Sequence, residues 1–297
     1  VTTGSCGSLN TASVKITVYP LLQPGSVAAD QTICYNSAPA KFTEVSAPSG
    51  GDGTYSYRWQ RSSDNVTFTD ISGATSSTYT SGSLTATTYF RRRVTDGVCG
   101  YVYSNVITIT VYGQVTAGTI GSPQTICYNA TPAALTELTA PTGGIGSYTY
   151  QWQISSNNTS FSNIAGATGI TYSPGALTAN RYFRRVVTSG SCGSANSASV
   201  LITVLNQLNA GAIGYDQDIC FGATPAPLTE VTAASGGTGT FTYQWQISSN
   251  NTSWVDISGA TSTTYSPGSH SATRYYRRNA INSCGTVSSA SIKINVY

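Results

Sequence analysis

Trp59, Trp152 and Trp245 fall 93 residues apart, as do Cys34, Cys127 and Cys220, and Tyr89, Tyr182 and Tyr275. So long and regular a period marks a tandem array of small domains rather than one large core. It sets boundaries at residues 20–112, 113–205 and 206–297. The remaining stretch, 1–19 (VTTGSCGSLNTASVKITVY), parallels 187–205 (VTSGSCGSANSASVLITVL) and reads as the C-terminal strand fragment of a preceding copy. The chain contains no Met, so it is expected to be a window onto a longer array. It shows neither a signal peptide nor an apolar run of the roughly 18 residues a membrane span needs.

Composition narrows the partners. Charged residues make up 8% of the chain, where about 25% is usual. A net charge of +3 over 297 residues is too dilute for a nucleic-acid or membrane-surface footprint. Disorder calls for few aromatics, whereas 10% of these residues are aromatic. The expectation is a folded, polar, nearly neutral chain.

The second copy is the clearest template. Residues 134–140 (ALTELTA) alternate as a half-buried strand does, Gly143, Gly144 and Gly146 break the pattern, and 148–154 (YTYQWQI) resume it. In that second strand Tyr148, Tyr150, Trp152 and Ile154 share a face, because strand side chains alternate with period two. Residues 182–187 (YFRRVV) and 197–204 (SASVLITV) are expected to close the repeat as a hairpin. About seven short strands, with turn signals every 8 to 12 residues, describe an all-β immunoglobulin-like sandwich. Trp59, Trp152 and Trp245 then fill the space between the sheets, and Tyr89, Tyr182 and Tyr275 take the tyrosine-corner position. The fold class is tandem immunoglobulin-like β-sandwiches in an extended array.

Each copy holds one early cysteine (Cys34, Cys127, Cys220) and one late cysteine (Cys99, Cys192, Cys284), with Cys6 in the leading fragment. One His and no CxxC argue against zinc and for disulfides. Pairing within a repeat needs no neighbouring copy and is preferred on that ground. Strand placement argues otherwise, because the early and late cysteines fall at opposite poles of a sandwich. A seven-residue strand spans about 23 Å, and a disulfide requires Cα atoms within about 7 Å. On that argument Cys34–Cys192 and Cys127–Cys284 join neighbours. Both pairings stay open, ahead of a third in which a late cysteine meets the early cysteine 28 residues on (Cys6–Cys34 and its analogues); Cys6 otherwise pairs outside the window or is free.

No constellation points to catalysis. The eleven carboxylates are scattered, with Asp216 and Asp218 the one close pair. His270 stands where other copies have Leu84 and Leu177, which marks it as structural. The glycine loops (Gly50-Gly51-Asp52-Gly53 and its copies) lack the Lys-Ser/Thr of a phosphate loop and precede strands, so they read as turns. Lys15 and Lys293 align with Thr108 and Leu201, which rules out a Lys–Asn isopeptide bond as a repeat feature. The expectation is a chain that is not an enzyme and carries no cofactor or metal. Candidate surface contacts are Phe68, Phe161 and Trp254 after a polar turn, and Arg92, Arg185 and Arg278 in the YFRR segments. The favoured reading packs the aromatics on the sheet and has one Arg of each pair stack on a neighbouring ring or cover the sheet face with its stem. Asn65, Asn129, Asn157, Asn158, Asn250 and Asn251 open N-x-S/T triplets, which so Ser/Thr-rich a chain produces by chance.

The wording QTICYNATPAALTELTAPTGG, SYTYQWQISSNN, IAGATGITYSPGALTANRYFRRVVTSGSCGS and SASVLITV resembles repeats of the giant cell-surface adhesins of Bacteroidota. Those are gliding-linked proteins exported by type IX secretion and built from Ig-like or PKD-like modules. The resemblance covers all three copies and the leading fragment. It implies an extracellular or outer-surface filament used as a stalk or adhesin, with no catalytic residues to carry over. Its partners are neighbouring repeats of the same chain, lateral filament contacts or surface glycans. Short linkers such as VYGQVTAGTI, which lack a Gly/Ser spacer, lead to the same class. The alternative is a carbohydrate-binding array of a secreted protein, using Trp254 and the YFRR segments.

Overall fold

The computed structural model describes Gly4 and residues 11–297. In the first repeat eight strands form: β1 (Ser26–Val27), β2 (Gln31–Ile33), β3 (Glu44–Ser46), β4 (Tyr55–Ser62), β5 (Thr69–Asp70), β6 (Thr88–Asp96), β7 (Gly100–Tyr103) and β8 (Ile107–Val111). The larger layer is ordered β2-β8-β6-β4-β5, with β7 also on β6. The smaller layer is the β1–β3 ladder, extended by isolated bridges Gln23↔Ser49, Phe42↔Tyr79 and Ser37↔Leu84. Between them lie Val27, Phe42, Trp59, Phe90, Ile107 and Ile109, all buried.

The alternation that makes β6 a strand also chooses its inward face. Phe90, Arg92, Val94 and Asp96 are buried in turn while their neighbours are half-exposed. Trp59 lies opposite Arg92 in the β4–β6 register, is fully buried, and donates its indole N–H to the Ser76 carbonyl at 3.0 Å. Tyr79 stacks on it with ring centroids 5.7 Å apart. Burying so large an aromatic with its one polar atom satisfied fixes the spacing of the two layers.

The same plan recurs. The second repeat runs β9 (Thr119–Ile120), β10 (Gln124–Ile126), β11 (Glu137–Thr139), β12 (Thr149–Ser155), β13 (Ser162–Asn163), β14 (Arg181–Thr188), β15 (Ser194–Asn196) and β16 (Val200–Val204). The third runs β17 (Ala212–Ile213), β18 (Gln217–Ile219), β19 (Glu230–Thr232), β20 (Thr242–Ser248), β21 (Val255–Asp256), β22 (Arg274–Asn282), β23 (Gly285–Ser288) and β24 (Ile292–Val296). Trp152 and Trp245 are fully buried in their cores. By contact density the chain forms two compact units. One comprises residues 1–115, 142–147 and 189–193; the other comprises 116–141, 148–188 and 194–297.

Four expectations are refined. The strand expected over 134–140 is confined to β11, with Leu135 held by a single bridge to Tyr172. The closing hairpin is broken in two, β15 and β16, both paired with β14. At the break Ser197 returns two bonds to Arg185: its Oγ accepts the Arg185 N–H, and its own N–H reaches the Arg185 carbonyl. The tyrosine-corner expectation is corrected, because the residues that turn inward here are Phe in two copies and carry no hydroxyl to anchor such a corner. Phe90, Phe183 and Tyr276 are the buried rings, while Tyr89, Tyr182 and Tyr275 lie on the alternate face. Finally, residues 11–19 form no strand, and Val14, Ile16 and Val18 are exposed although their counterparts Val200 and Ile202 are buried. Residues 1–3 and 5–10, including Cys6, lie outside the described residues.

Candidate functional site

Among the described residues two disulfides are formed, Cys34–Cys192 and Cys127–Cys284, with Cα–Cα distances of 5.0 and 5.4 Å. Each joins the early cysteine of one repeat to the late cysteine of the next, which corrects the preference for pairing within a repeat. The reason lies in the ladder. Strand β2 runs parallel to β8 and pairs Ile33 with Val111. Cys34 therefore leaves at the pole where β8 ends and β6 begins. Cys99 sits in the β6–β7 turn, past Asp96 at the other end of a nine-residue strand. At ~3.4 Å per residue that strand holds them about 30 Å apart, far beyond disulfide reach.

Both cysteine positions are built, not incidental. The early turn is held by Gln31, whose amide accepts the Ala40 N–H and donates to the Ala40 carbonyl. Gln124–Ala133 and Gln217–Ala226 repeat the clasp. Asn36 and Asn129 then take φ near +60°, a conformation Asn tolerates and Gly222 adopts freely in the third copy. At the late pole, buried Asp96 accepts the amide N–H groups of Cys99, Val98 and Asp52. Those donors, Cys99 first, hold its carboxyl down to about 2. Ser189 and Asn282 stand there in the other copies: Ser189 accepts the Ile145 N–H, Asn282 the Cys284 N–H. The glycine loop packs on this residue and on the linker. A Cβ on Gly143 would meet the Gln114 carbonyl, and one on Gly144 would meet the Ser189 side chain. The loop is therefore a clasp for the linker, and close backbone approach is what requires glycine.

Arg92, Arg185 and Arg278 were expected among surface ligand contacts; all three are fully buried. Each reaches from the larger layer to a glutamate of the smaller one: Arg92–Glu44 at 2.6 Å, Arg185–Glu137 at 2.8 Å and Arg278–Glu230 at 2.8 Å. Arg185 also donates to the carbonyls of Ile170 and Ala117 and stacks on Tyr150 at 4.6 Å. In antibody domains a disulfide between strands B and F makes the inter-sheet link, with a tyrosine two residues before its second cysteine. Phe90-Arg91-Arg92 keeps that spacing, and β3 supplies Glu44 from the B position. The ion pair ties the two layers of each repeat, and the disulfides join one repeat to another. The glutamates were missed in the sequence, although their period of 93 and constant separation of 48 from the arginine were visible.

The preceding arginine of each pair lies on the outer face. Arg91 stacks on Phe68 at 4.0 Å and Tyr103 at 3.7 Å, Arg184 on Phe161 at 4.0 Å and Arg277 on Trp254 at 4.5 Å. Each also donates its Nε–H to a glutamine on the neighbouring strand, Gln60, Gln153 or Gln246. The half-buried rings of Phe68, Phe161 and Trp254 thus already carry a guanidinium. His270 accompanies a second change: Tyr276 replaces Phe90 and Phe183, and its hydroxyl meets His270 Nε2 at 2.6 Å. Burial, and then the charge of Arg274, holds His270 below its usual range, while burial pushes the Tyr276 hydroxyl up.

The fold and its contents define tandem immunoglobulin-like β-sandwich domains. Within that class, the chain belongs to the family described as a domain of unknown function (DUF8696), whose model matches residues 23–113, 116–206 and 209–297. A comparison with curated proteins finds no significant match. Among solved structures the chain is similar to an I-band fragment of titin, domains I67–I69, at 11% identity and TM-score 0.46, over 95% of this chain and 100% of that one. It is also similar to extracellular domains 3–5 of Drosophila OTK, at 13% identity and TM-score 0.33, over 94% and 100%. A third is the three N-terminal domains of the bacteriophage RB49 outer capsid protein Hoc, at 15% identity and TM-score 0.36, over 89% and 96%. No helix among the described residues is long and apolar enough to cross a membrane.

Proposed function

We propose that this chain is a structural segment of an extracellular filament or adhesin stalk, with repeats at 20–112, 113–205 and 206–297 and the residues before them belonging to a preceding copy. The observation that carries the reading is the staggered pair of disulfides, each spanning more than one and a half repeats. Disulfides persist in oxidising compartments, which supports an outer-surface location. The resemblance to gliding-type adhesins of Bacteroidota supports export by type IX secretion, and neighbouring repeats are the first partners.

Tension is where such crosslinks matter. Under load the shortest covalent path runs from residue 1 to Cys34, across to Cys192, back to Cys127, across to Cys284 and on to residue 297. That path holds roughly 110 residues, or about 400 Å at ~3.6 Å per residue, against about 1,000 Å for the reduced chain. Pulling single molecules by their ends with and without reductant tests the reading. Full extension is expected to more than double on reduction; equal extension in both states would refute a load-bearing role.

The glycan-binding alternative has one observation in its favour. A cleft of about 580 Å³ opens beside Arg61, Ser62, Asp64, Thr67, Thr69 and Thr88 in the first repeat, within the size range of ligand sites. A glycan-array signal abolished by Trp254→Ala or by Asp64→Ala would favour this reading over the stalk.

A further inference from the structure

Cys99 and Cys220 carry exposed free thiols. Neither is an isolated cysteine in structural terms. Cys220 sits in the turn that presents Cys34 and Cys127. Its carbonyl accepts the Ala223 N–H at 3.0 Å, as those of Cys34 and Cys127 accept Ser37 and Ala130 at 3.1 Å. Gly222 donates to the His270 carbonyl where Asn36 and Asn129 donate to Leu84 and Leu177. Cys99 sits in the β6–β7 turn, the counterpart of the β22–β23 turn that presents Cys284, and a side chain two or three residues earlier accepts its N–H, as at Cys284. In both cases the counterparts are disulfide-bonded in this same molecule.

We propose that Cys220 and Cys99 are docking sites for further copies of this repeat. Cys220 takes the late-cysteine hairpin of a following copy, and Cys99 takes the early-cysteine turn of a preceding one. The inference rests on the stalk reading and extends it: the crosslink becomes a rule of assembly, always early to late and always between successive copies. Chemically, two thiols and one small-molecule disulfide such as oxidised glutathione give one protein disulfide and two reduced thiols. The Cys220 thiolate displaces one glutathione thiolate to form a mixed disulfide, and the incoming late cysteine's thiolate displaces the second. Burial and the neighbouring Asp96 carboxylate push the Cys99 thiol up, which lowers its thiolate fraction at neutral pH and slows its exchange.

The test is to extend the chain past Tyr297 with a duplicate of residues 206–297, oxidise it in a glutathione buffer, and map disulfides under non-reducing conditions. Cys220 is expected to be joined to the late cysteine of the added copy, leaving the added early cysteine free. Cys220 recovered as an alkylated thiol, with Cys34–Cys192 and Cys127–Cys284 intact, would overturn the inference alone. Loss of those two bonds would instead overturn the stalk reading. Changing the added late cysteine to Ser should leave Cys220 free; its capture by Cys99 or by the added early cysteine would show unspecific pairing and reject the rule. If the added copy fails to fold, the unextended chain at high concentration decides. Intermolecular Cys220–Cys99 bonds are expected to outnumber Cys220–Cys220 and Cys99–Cys99 by at least tenfold, and a statistical mixture would refute it.

Discussion

The buried arginine of the second repeat makes a quantitative prediction. Replacing Arg185 by Met removes a guanidinium that is fully buried and touches three acceptors: Glu137 Oε2, the Ile170 carbonyl and the Ala117 carbonyl. Glu137 is 24% exposed and can turn to water. The two carbonyls depend on local hydration, and each stranded acceptor costs about 1–3 kcal/mol. Met fills most of the lost volume, so the packing penalty is small. The sum is about 3 kcal/mol, confined to one repeat. Glu137→Gln keeps an oxygen acceptor for the guanidinium and should cost about 1 kcal/mol. Native-state hydrogen exchange reads this repeat by repeat, with the first and third repeats as internal references. A loss of 3 kcal/mol corresponds to roughly 150-fold faster exchange of the β12 and β14 amides. Buried ion pairs elsewhere are sometimes replaced by apolar residues without cost. If Arg185→Met leaves β12 and β14 protection within threefold of the parent, the arginine is not the inter-sheet tie and the comparison with the B–F bridge fails.

Two further outcomes follow from the site. Asp96, held to about 2 by the Cys99, Val98 and Asp52 amides, has a folded value below its unfolded value of about 3.9. Its contribution is therefore fully present above pH 4 and lost as pH falls toward 2; a carboxyl shift that titrates near 4 in the folded chain would contradict this. In the third repeat, Tyr276→Phe strands the His270 Nε2 and should lower stability by about 1 kcal/mol, whereas His270→Leu with Tyr276→Phe restores the pairing of the other copies and should recover it. A double-mutant cycle of thermal melts showing no coupling would refute that link.

Much of this was legible because the period does the aligning. The 93-residue spacing of Trp59, Trp152 and Trp245, with alternation around each, is enough for a two-layer all-β unit with the indole inside. The partner of a buried charge was not legible, because Glu44 is 48 residues from Arg92 and only the fold brings the two layers together. The same holds for the cysteines. Sequence placed the two members of a repeat at opposite poles, yet the choice between pairings depended on whether the first strand is short and parallel to the last, a matter of ladder direction that composition does not carry. Arg92, Arg185 and Arg278 were named for the surface, although strand alternation sends the second arginine of each pair inward and the first outward. His270 was read as structural from the leucines at its position, but its tyrosine partner six residues on was not noticed.

The most direct measurement is a disulfide map of the oxidised chain by mass spectrometry after non-reducing digestion. Linked peptides containing Cys34 with Cys192 and Cys127 with Cys284 are expected, with Cys99 and Cys220 alkylated. Finding Cys34 bound to Cys99, or Cys127 to Cys192, would close each sandwich on itself and contradict a chain stapled from one copy to the next.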